Sequence, residues 1–421
     1  MDTDRVVQTA RFGARKAREV YAVEGARGVV RRARNWARKR RSGAAGISLL
    51  PVGPLPEVPV WQPHVLSVAE RSLPQCYHYR VDQKREICQI LGVPFDDLPL
   101  DDVDEVITRL QLASVLIVYR LPETPALHRV LKEADRLRVP VIYEVDDLIY
   151  RREVTANNPN LATLPADVRA AVISGSDGYF HALNLGQANL ASTQPLADDM
   201  HEVNGRPGFV VDNGIDATML EIIEGIRVQP VPPPQRDGIV VTYGSGSRAN
   251  DHDFALAAPA IAAWLHETPA GLLKILGPVR LPEVLEPFSD RVLRRTEHLA
   301  YGEYLRELRD STISLAPLTN DHFNAFKSQV KYLESALVSV PLVASPMVYE
   351  NYVEDGRTGI IARTETQWFD ALKSLSTDSE RRSAMVAAAR EHVRQWELAN
   401  GPAQQFAAML AALSDSQKRA S

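Results

Sequence analysis

SVLIVYRLPETPALHRVLKEADRLRVPVIYEV, residues 114–145, places an apolar run, a helical pattern and a second apolar run in immediate succession. Ser114–Arg120 and Pro140–Val145 are rich in Val and Ile, as expected of strands buried on both faces. The pattern between them, Ala126–Arg138, predicts a crossover helix. Strand, helix and strand in that order form a βαβ unit of a parallel sheet. Upstream, His64–Ala69 is a further predicted strand, followed by a helical stretch over Gln83–Leu91. Downstream, weaker strands are predicted at Ala188–Ser192 and Phe209–Val211.

The alternation then restarts. Ile239–Tyr243, Leu272–Leu276, Arg291–Arg294, Thr312–Ala316, Val340–Ala344 and Gly359–Ala362 read as strands, and the longest helical patterns between them are Asp253–His266 and Gln329–Val338. A last helical region runs from Ser383 past Trp396 to Leu413. The expected fold is α/β: two doubly wound domains of similar size, 64–216 and 238–382, facing a cleft. They are joined by a connection over 217–237 that Pro232-Pro233-Pro234 stiffens, and followed by a helical region over 383–421.

The 421 residues are 45% hydrophobic and 24% charged, which excludes a wholly disordered or fibrous chain. Two cysteines, Cys76 and Cys88, cannot build a disulfide framework or a four-ligand zinc site. No run is long and apolar enough for a membrane span and no signal peptide is read, so a cytoplasmic location is expected. The net charge of −5 hides an asymmetry: residues 1–42 hold eleven Arg and two Lys against two Asp and two Glu, a net +9 that leaves −14 for the rest. This arm is expected to be helical. Its scattered valines and Trp36 suit an anionic membrane surface, which would place the protein peripherally on the inner face of the cell membrane. A solvated helix is the plain alternative, and nucleic acid is not expected as a partner of so acidic a body. Residues 43–63, with five prolines, read as a linker.

In open parallel sheets ligands bind beyond the carboxyl ends of the strands. Gly244-Ser245-Gly246-Ser247-Arg248 follows one strand, with glycines that let an anion approach the backbone and an arginine to pair with it. Asn324 to Glu334 follows another. Its helix is expected to start near Lys327 and to carry Lys327, Lys331 and Glu334 on one face. Lysines in a first turn oppose the helix dipole, which makes sense if an anion docks there. Glu334 accepts hydrogen bonds only and suits a pair of vicinal hydroxyls such as a ribose. Asp146 and Asp147 end the strand PVIYEV, where they could meet sugar hydroxyls, a divalent metal or a proton in transfer. Cys76-Tyr-His-Tyr-Arg80 brings aromatic rings and an arginine to the same side.

With these residues in view, the chain over 64 to about 413 resembles the GT-B nucleotide-sugar glycosyltransferases, specifically the large retaining group of bacterial polysaccharide synthesis. The motifs that carry the likeness are Tyr79-Arg80-Val81, VIYEVDDLIY (141–150), Leu190-Ala-Ser-Thr193 with Pro195-Leu196, and Asn213-Gly-Ile-Asp216. FNAFKSQVKYLESALVSVPLVAS (323–345) and Asp355-Gly-Arg-Thr-Gly359 complete them. The resemblance implies two Rossmann-like domains, an acceptor side and a donor side, and hexosyl transfer from a nucleotide diphosphate sugar to a hydroxyl of a glycan or lipid-linked acceptor. It implies no metal and no cofactor beyond the donor substrate. Gly244, Ser245, Gly246, Arg248, Asn324, Lys327, Ser328, Lys331 and Glu334 would form the donor site, Tyr79, Arg80, Asp146 and Asp147 the acceptor side. Lys327, Glu334 and Asp147 would be catalytic. Many relatives carry E-x7-E here; Glu334 matches the second acid, and Phe326 stands at the first. That substitution keeps a second reading open, a GT-B-shaped protein that binds without turnover.

Overall fold

The computed structural model describes residues 63–228, 238–246, 250–297 and 299–420. The basic arm, the proline-rich linker up to residue 62, the Pro232–Pro234 triplet and Arg248 lie outside the described residues.

Two six-stranded parallel sheets form. The first contains β1 (Val65–Ala69), β2 (Phe95–Leu98), β3 (Val115–Tyr119), β4 (Val141–Val145), β5 (Ala188–Ala191) and β6 (Gly208–Val210), in the order β2-β1-β3-β4-β5-β6. Every residue of β1, β3, β4 and β5 is buried, as the unalternating apolar runs require. β2 has no such run: FDDL is a half-exposed edge strand that pairs only with β1, and apolar content alone does not reveal it. The crossover helix Pro125–Leu137 starts where Thr124 accepts a hydrogen bond from the Leu127 amide (3.1 Å) and ends at Arg138, whose φ is +58°.

The second sheet contains β7 (Val240–Gly244), β8 (Leu272–Leu276), β9 (Val292–Arg295), β10 (Ile313–Ala316), β11 (Leu342–Ala344) and β12 (Ile360–Ile361). Their order is β12-β11-β10-β7-β8-β9. Strand order reverses between β1 and β3 in the first sheet and between β7 and β10 in the second. A doubly wound sheet opens its ligand crevice at such a switch point.

The chain crosses between the sheets twice, and the two crossings lie side by side. Ile215 donates its amide to the Trp396 carbonyl (2.8 Å), and Leu398 donates back to Ile215 (3.0 Å). A Cβ on Gly214 would stand 2.5 Å from the Trp396 carbonyl oxygen, so only glycine lets the strands approach this closely. The C-terminal helical region is therefore not one body. The helix Ser379–His392 packs on the second domain through Met385 and Ala389. After the return crossing the helix Gly401–Ala420 lays Phe406, Met409 and Leu410 against Val65, Ile117 and Leu190 of the first.

Candidate active site

The carboxyl ends of both sheets meet at one cleft. Cys76, Tyr79, Asp146 and Asp147 line it from the first domain. Gly244, Ser245, Gly246, Lys327, Ser328, Lys331 and Glu334 line it from the second. Ten of the thirteen residues expected at the site thus share one cavity.

The helix that carries Lys331 and Glu334 begins later than its sequence suggests. Asn324–Phe326 is a single 3-10 turn, Lys327 is extended (φ −68°, ψ 157°), and the helix runs over Val330–Leu337. Lys331 and Glu334 share its face, whereas Lys327 projects from the preceding loop. The distinction matters chemically. Lys331 donates to the Gly244 carbonyl and lies 5.3 Å from the centre of the Tyr243 ring. Burial outweighs the nearby Glu334 charge and lowers its pKa. Lys327 Nζ, 5.4 Å from the Phe323 ring centre, has no carboxylate of the described residues within ion-pair distance. Among the described residues that line the cleft, it is the cation whose ammonium makes neither a hydrogen bond nor an ion pair.

Glu334 sits in a cage of tyrosines. Tyr79, from the first domain, donates to Oε1 (3.0 Å) and Tyr304 to Oε2 (3.1 Å), while the Tyr79 and Tyr301 hydroxyls lie 2.8 Å apart. Burial raises the Glu334 pKa, and Lys331 and the tyrosine hydroxyls only partly offset it. The carboxylate thus bridges the domains and faces the cleft.

On the opposite wall Arg120, at the end of β3 with a φ of +52°, donates to Asp146 Oδ1 (2.5 Å) and lies 3.7 Å from Asp147 Oδ2. The two carboxylates diverge as a result. Burial acts on both, but the Arg120 charge holds Asp146 below the usual range, whereas burial and the Asp146 charge push Asp147 above it. Among the described residues no three His, Cys, Asp or Glu side chains converge as a metal would require.

Two expected site residues stand elsewhere. Arg80 is 1% exposed and does not reach the cleft. It sits in a π-helical turn, His78–Asp82, that directs its guanidinium into the first domain. There Nε donates to Glu144 (2.7 Å) and Nη1 donates to the Val211 carbonyl (2.8 Å) and Asn213 Oδ1 (2.9 Å). Asn213 in turn donates to Ser328 Oγ (2.9 Å), so Arg80 is linked to the Ser328 loop through a neighbour. Asn324 is also wholly buried; its amide donates to Asp253 (2.7 Å) and Asp321 (3.0 Å) and shapes the loop before Lys327. Phe326, at the family's first acidic position, turns away from the cavity. It is 7% exposed and packs with the core of the first domain, where its carbonyl accepts from Thr193 Oγ1 (3.0 Å). Sequence reasoning did not single out Arg120, Tyr301 or Tyr304. Tyr301 and Tyr304 are three apart on the helix Tyr301–Arg309, a spacing that reads as ordinary amphipathicity.

The cavity floor depends on Gly277, whose φ is +109° and whose Cβ would fall 1.8 Å from the Ser245 carbonyl oxygen. Gly277→Ala is expected to cost about 1–3 kcal/mol of stability and to displace the Ser245 loop. Urea unfolding together with nucleotide titration checks both effects.

Residues 258–408 match the family model described as glycosyl transferase-like. No curated protein sequence matches the chain. Among solved structures, Anabaena HepE in complex with UDP and glucose is similar over 83% of this chain and all of its own, with a TM-score of 0.55 at 14% identity. Sucrose-phosphate synthase from Thermosynechococcus elongatus matches over 84% of this chain and all of its own (TM-score 0.53, 11% identity). The α,α-trehalose 6-phosphate synthase from Burkholderia multivorans matches over 86% and 100% (TM-score 0.51, 10% identity). Two facing parallel sheets with a shared cleft are the GT-B architecture. The chain has that fold, and its residues 258–408 carry the glycosyl transferase-like match.

Proposed function

We propose that the protein takes a uridine diphosphate sugar as donor and transfers its glycosyl group to a hydroxyl of a glycan or lipid-linked acceptor in bacterial surface polysaccharide synthesis. The observation that carries this reading is the joint placement of Lys327, without an ion-pair partner among the described residues, and Glu334 on one wall of the cleft, opposite Asp147. A uridine donor is favoured because the HepE structures of like fold hold UDP or UDP-glucose.

Glu334 accepts the two ribose hydroxyls, and Lys327 with the first turn of the helix Val330–Leu337 meets the diphosphate. In the transfer, the bond from the sugar's anomeric carbon to the diphosphate breaks, and a bond from that carbon to the acceptor oxygen forms. The acceptor's proton passes to the departing diphosphate, as the family resemblance suggests, with retention of configuration. Asp147 orients the acceptor hydroxyl. Charge grows on the diphosphate as the bond breaks, and Lys327 stabilises it there.

A screen of UDP-, GDP-, dTDP- and CDP-sugars tests this, read as nucleotide release and as thermal stabilisation. One UDP-sugar is expected to stabilise the protein, by about 2.7 kcal/mol at a hundred times its dissociation constant, and to be slowly hydrolysed. Stabilisation with no release, even with acceptors supplied, would favour the binding-only reading that Phe326 motivates.

A further inference from the structure

Beside the donor cleft runs a second groove of about 860 Å³, and the two share Cys76, Asp147 and Lys327. Its wall is the long helix Ala166–Leu185, on which Val168, Val172, Gly175 and Tyr179 follow one another at intervals of four, three and four residues, a single helical face. Leu73, Ile149 and Leu161 face them across the groove. Val168, Val172 and Leu73 are 43%, 41% and 42% exposed, unusual for large apolar side chains clustered in one place. A Cβ on Gly175 would meet nothing within 4 Å, which leaves the groove open at its midpoint. Of the buried polar side chains along it, Ser176 donates to Thr155 (3.1 Å) and Asn158 accepts from the Asn160 amide (3.0 Å).

From this we infer that the acceptor carries an apolar chain, and that the groove holds that chain while the acceptor's hydroxylated head stands at Asp147. The inference rests on the transferase reading and deepens it. A molecule whose hydroxyl lies between Asp147 and Lys327 must extend its remainder somewhere, and the groove opens from those same residues. Phe323, Gly246 and Lys327 of the second domain close its far side. A trough with two walls fits an inserted chain, whereas a bilayer surface calls for a convex apolar face.

The test uses the full-length protein and two probes with one head group, octyl β-glucoside and methyl β-glucoside, titrated calorimetrically below the micelle-forming concentration. Octyl β-glucoside is expected to bind at least tenfold more tightly. The double variant Val168→Asp/Val172→Asp is expected to abolish that preference and leave UDP binding unchanged; both positions are exposed, so the fold is retained. Equal dissociation constants for the two probes in the wild type, with UDP still bound, would overturn this inference alone. So would a preference that survives the double substitution. Binding to neutral phosphatidylcholine vesicles that the double variant loses would assign the face to a bilayer and overturn it as well. A wild-type chain that binds no UDP would instead overturn the transferase reading on which it rests.

Discussion

Lys327→Ala is expected to lower kcat by about 10²–10³-fold, the usual effect of removing one preorganised donor from a developing negative charge. The expectation follows from how the cleft cations are engaged. Arg120 is held by Asp146 and Asp147, and Lys331 is committed to the Gly244 carbonyl, which leaves Lys327 facing the site without an ion pair among the described residues. Because charge on the diphosphate increases as the glycosidic bond breaks, the loss is expected in kcat more than in KM. Lys327→Arg keeps the charge and is expected to recover part of the rate. Thermal stability should change little, since the Lys327 side chain makes no hydrogen bond or ion pair among the described residues. Steady-state kinetics of the three proteins check the prediction; a loss confined to KM would mean that Lys327 binds the donor equally in ground and transition states.

The second large effect concerns stability. Glu144, the residue before the last on β4, is wholly buried and accepts from Arg80 Nε (2.7 Å) and Lys84 Nζ (2.6 Å). Glu144→Ala leaves two cations without their counter-charge in a dry core, a change expected to cost about 3–5 kcal/mol. The two do not respond alike. Burial, and then the Arg80 charge, already lower the Lys84 pKa to about 8, so that ammonium can shed its proton. A guanidinium cannot, and Arg80 carries most of the penalty. Since Arg80 also holds Asn213, and Asn213 holds Ser328, the variant is expected to weaken nucleotide binding as well as to lower the urea midpoint. Glu144→Gln, which keeps an acceptor oxygen, is expected to be less damaging in both respects.

The two cases also mark what can be read from the sequence. Buried runs such as VLIVY and VIYEV, alternating with helical patterns, point to a parallel sheet because its strands are covered on both faces, and the loops at their carboxyl ends then follow. The strand FDDL escapes that logic, since a half-buried edge strand packs only Phe95 and Leu98 against the core and carries two aspartates between them. Side-chain direction is harder still. Arg80 lies next to Tyr79, which does line the cleft, yet a π-helical turn sends the guanidinium inward to Glu144. Nothing in the residue types distinguishes the two directions. Glu334 was legible as an acceptor on a helix face, while its tyrosine cage depends on Tyr79, 255 positions away, and on Tyr301 and Tyr304. Phe326 could be read as a departure from the family pattern; only the packed structure shows it anchored in the opposite domain.

The central claim is that Glu334 holds the donor's ribose, and titration of UDP against 2′-deoxyuridine diphosphate tests it most directly. A hydrogen bond to a charged acceptor is worth about 1.5–3 kcal/mol, so the wild type is expected to bind UDP about 10- to 150-fold more tightly. In Glu334→Ala the two nucleotides are expected to bind equally and weakly. Equal affinities in the wild type, or a preference for UDP that survives the loss of Glu334, would contradict the assignment of this cleft as a donor site built around that carboxylate.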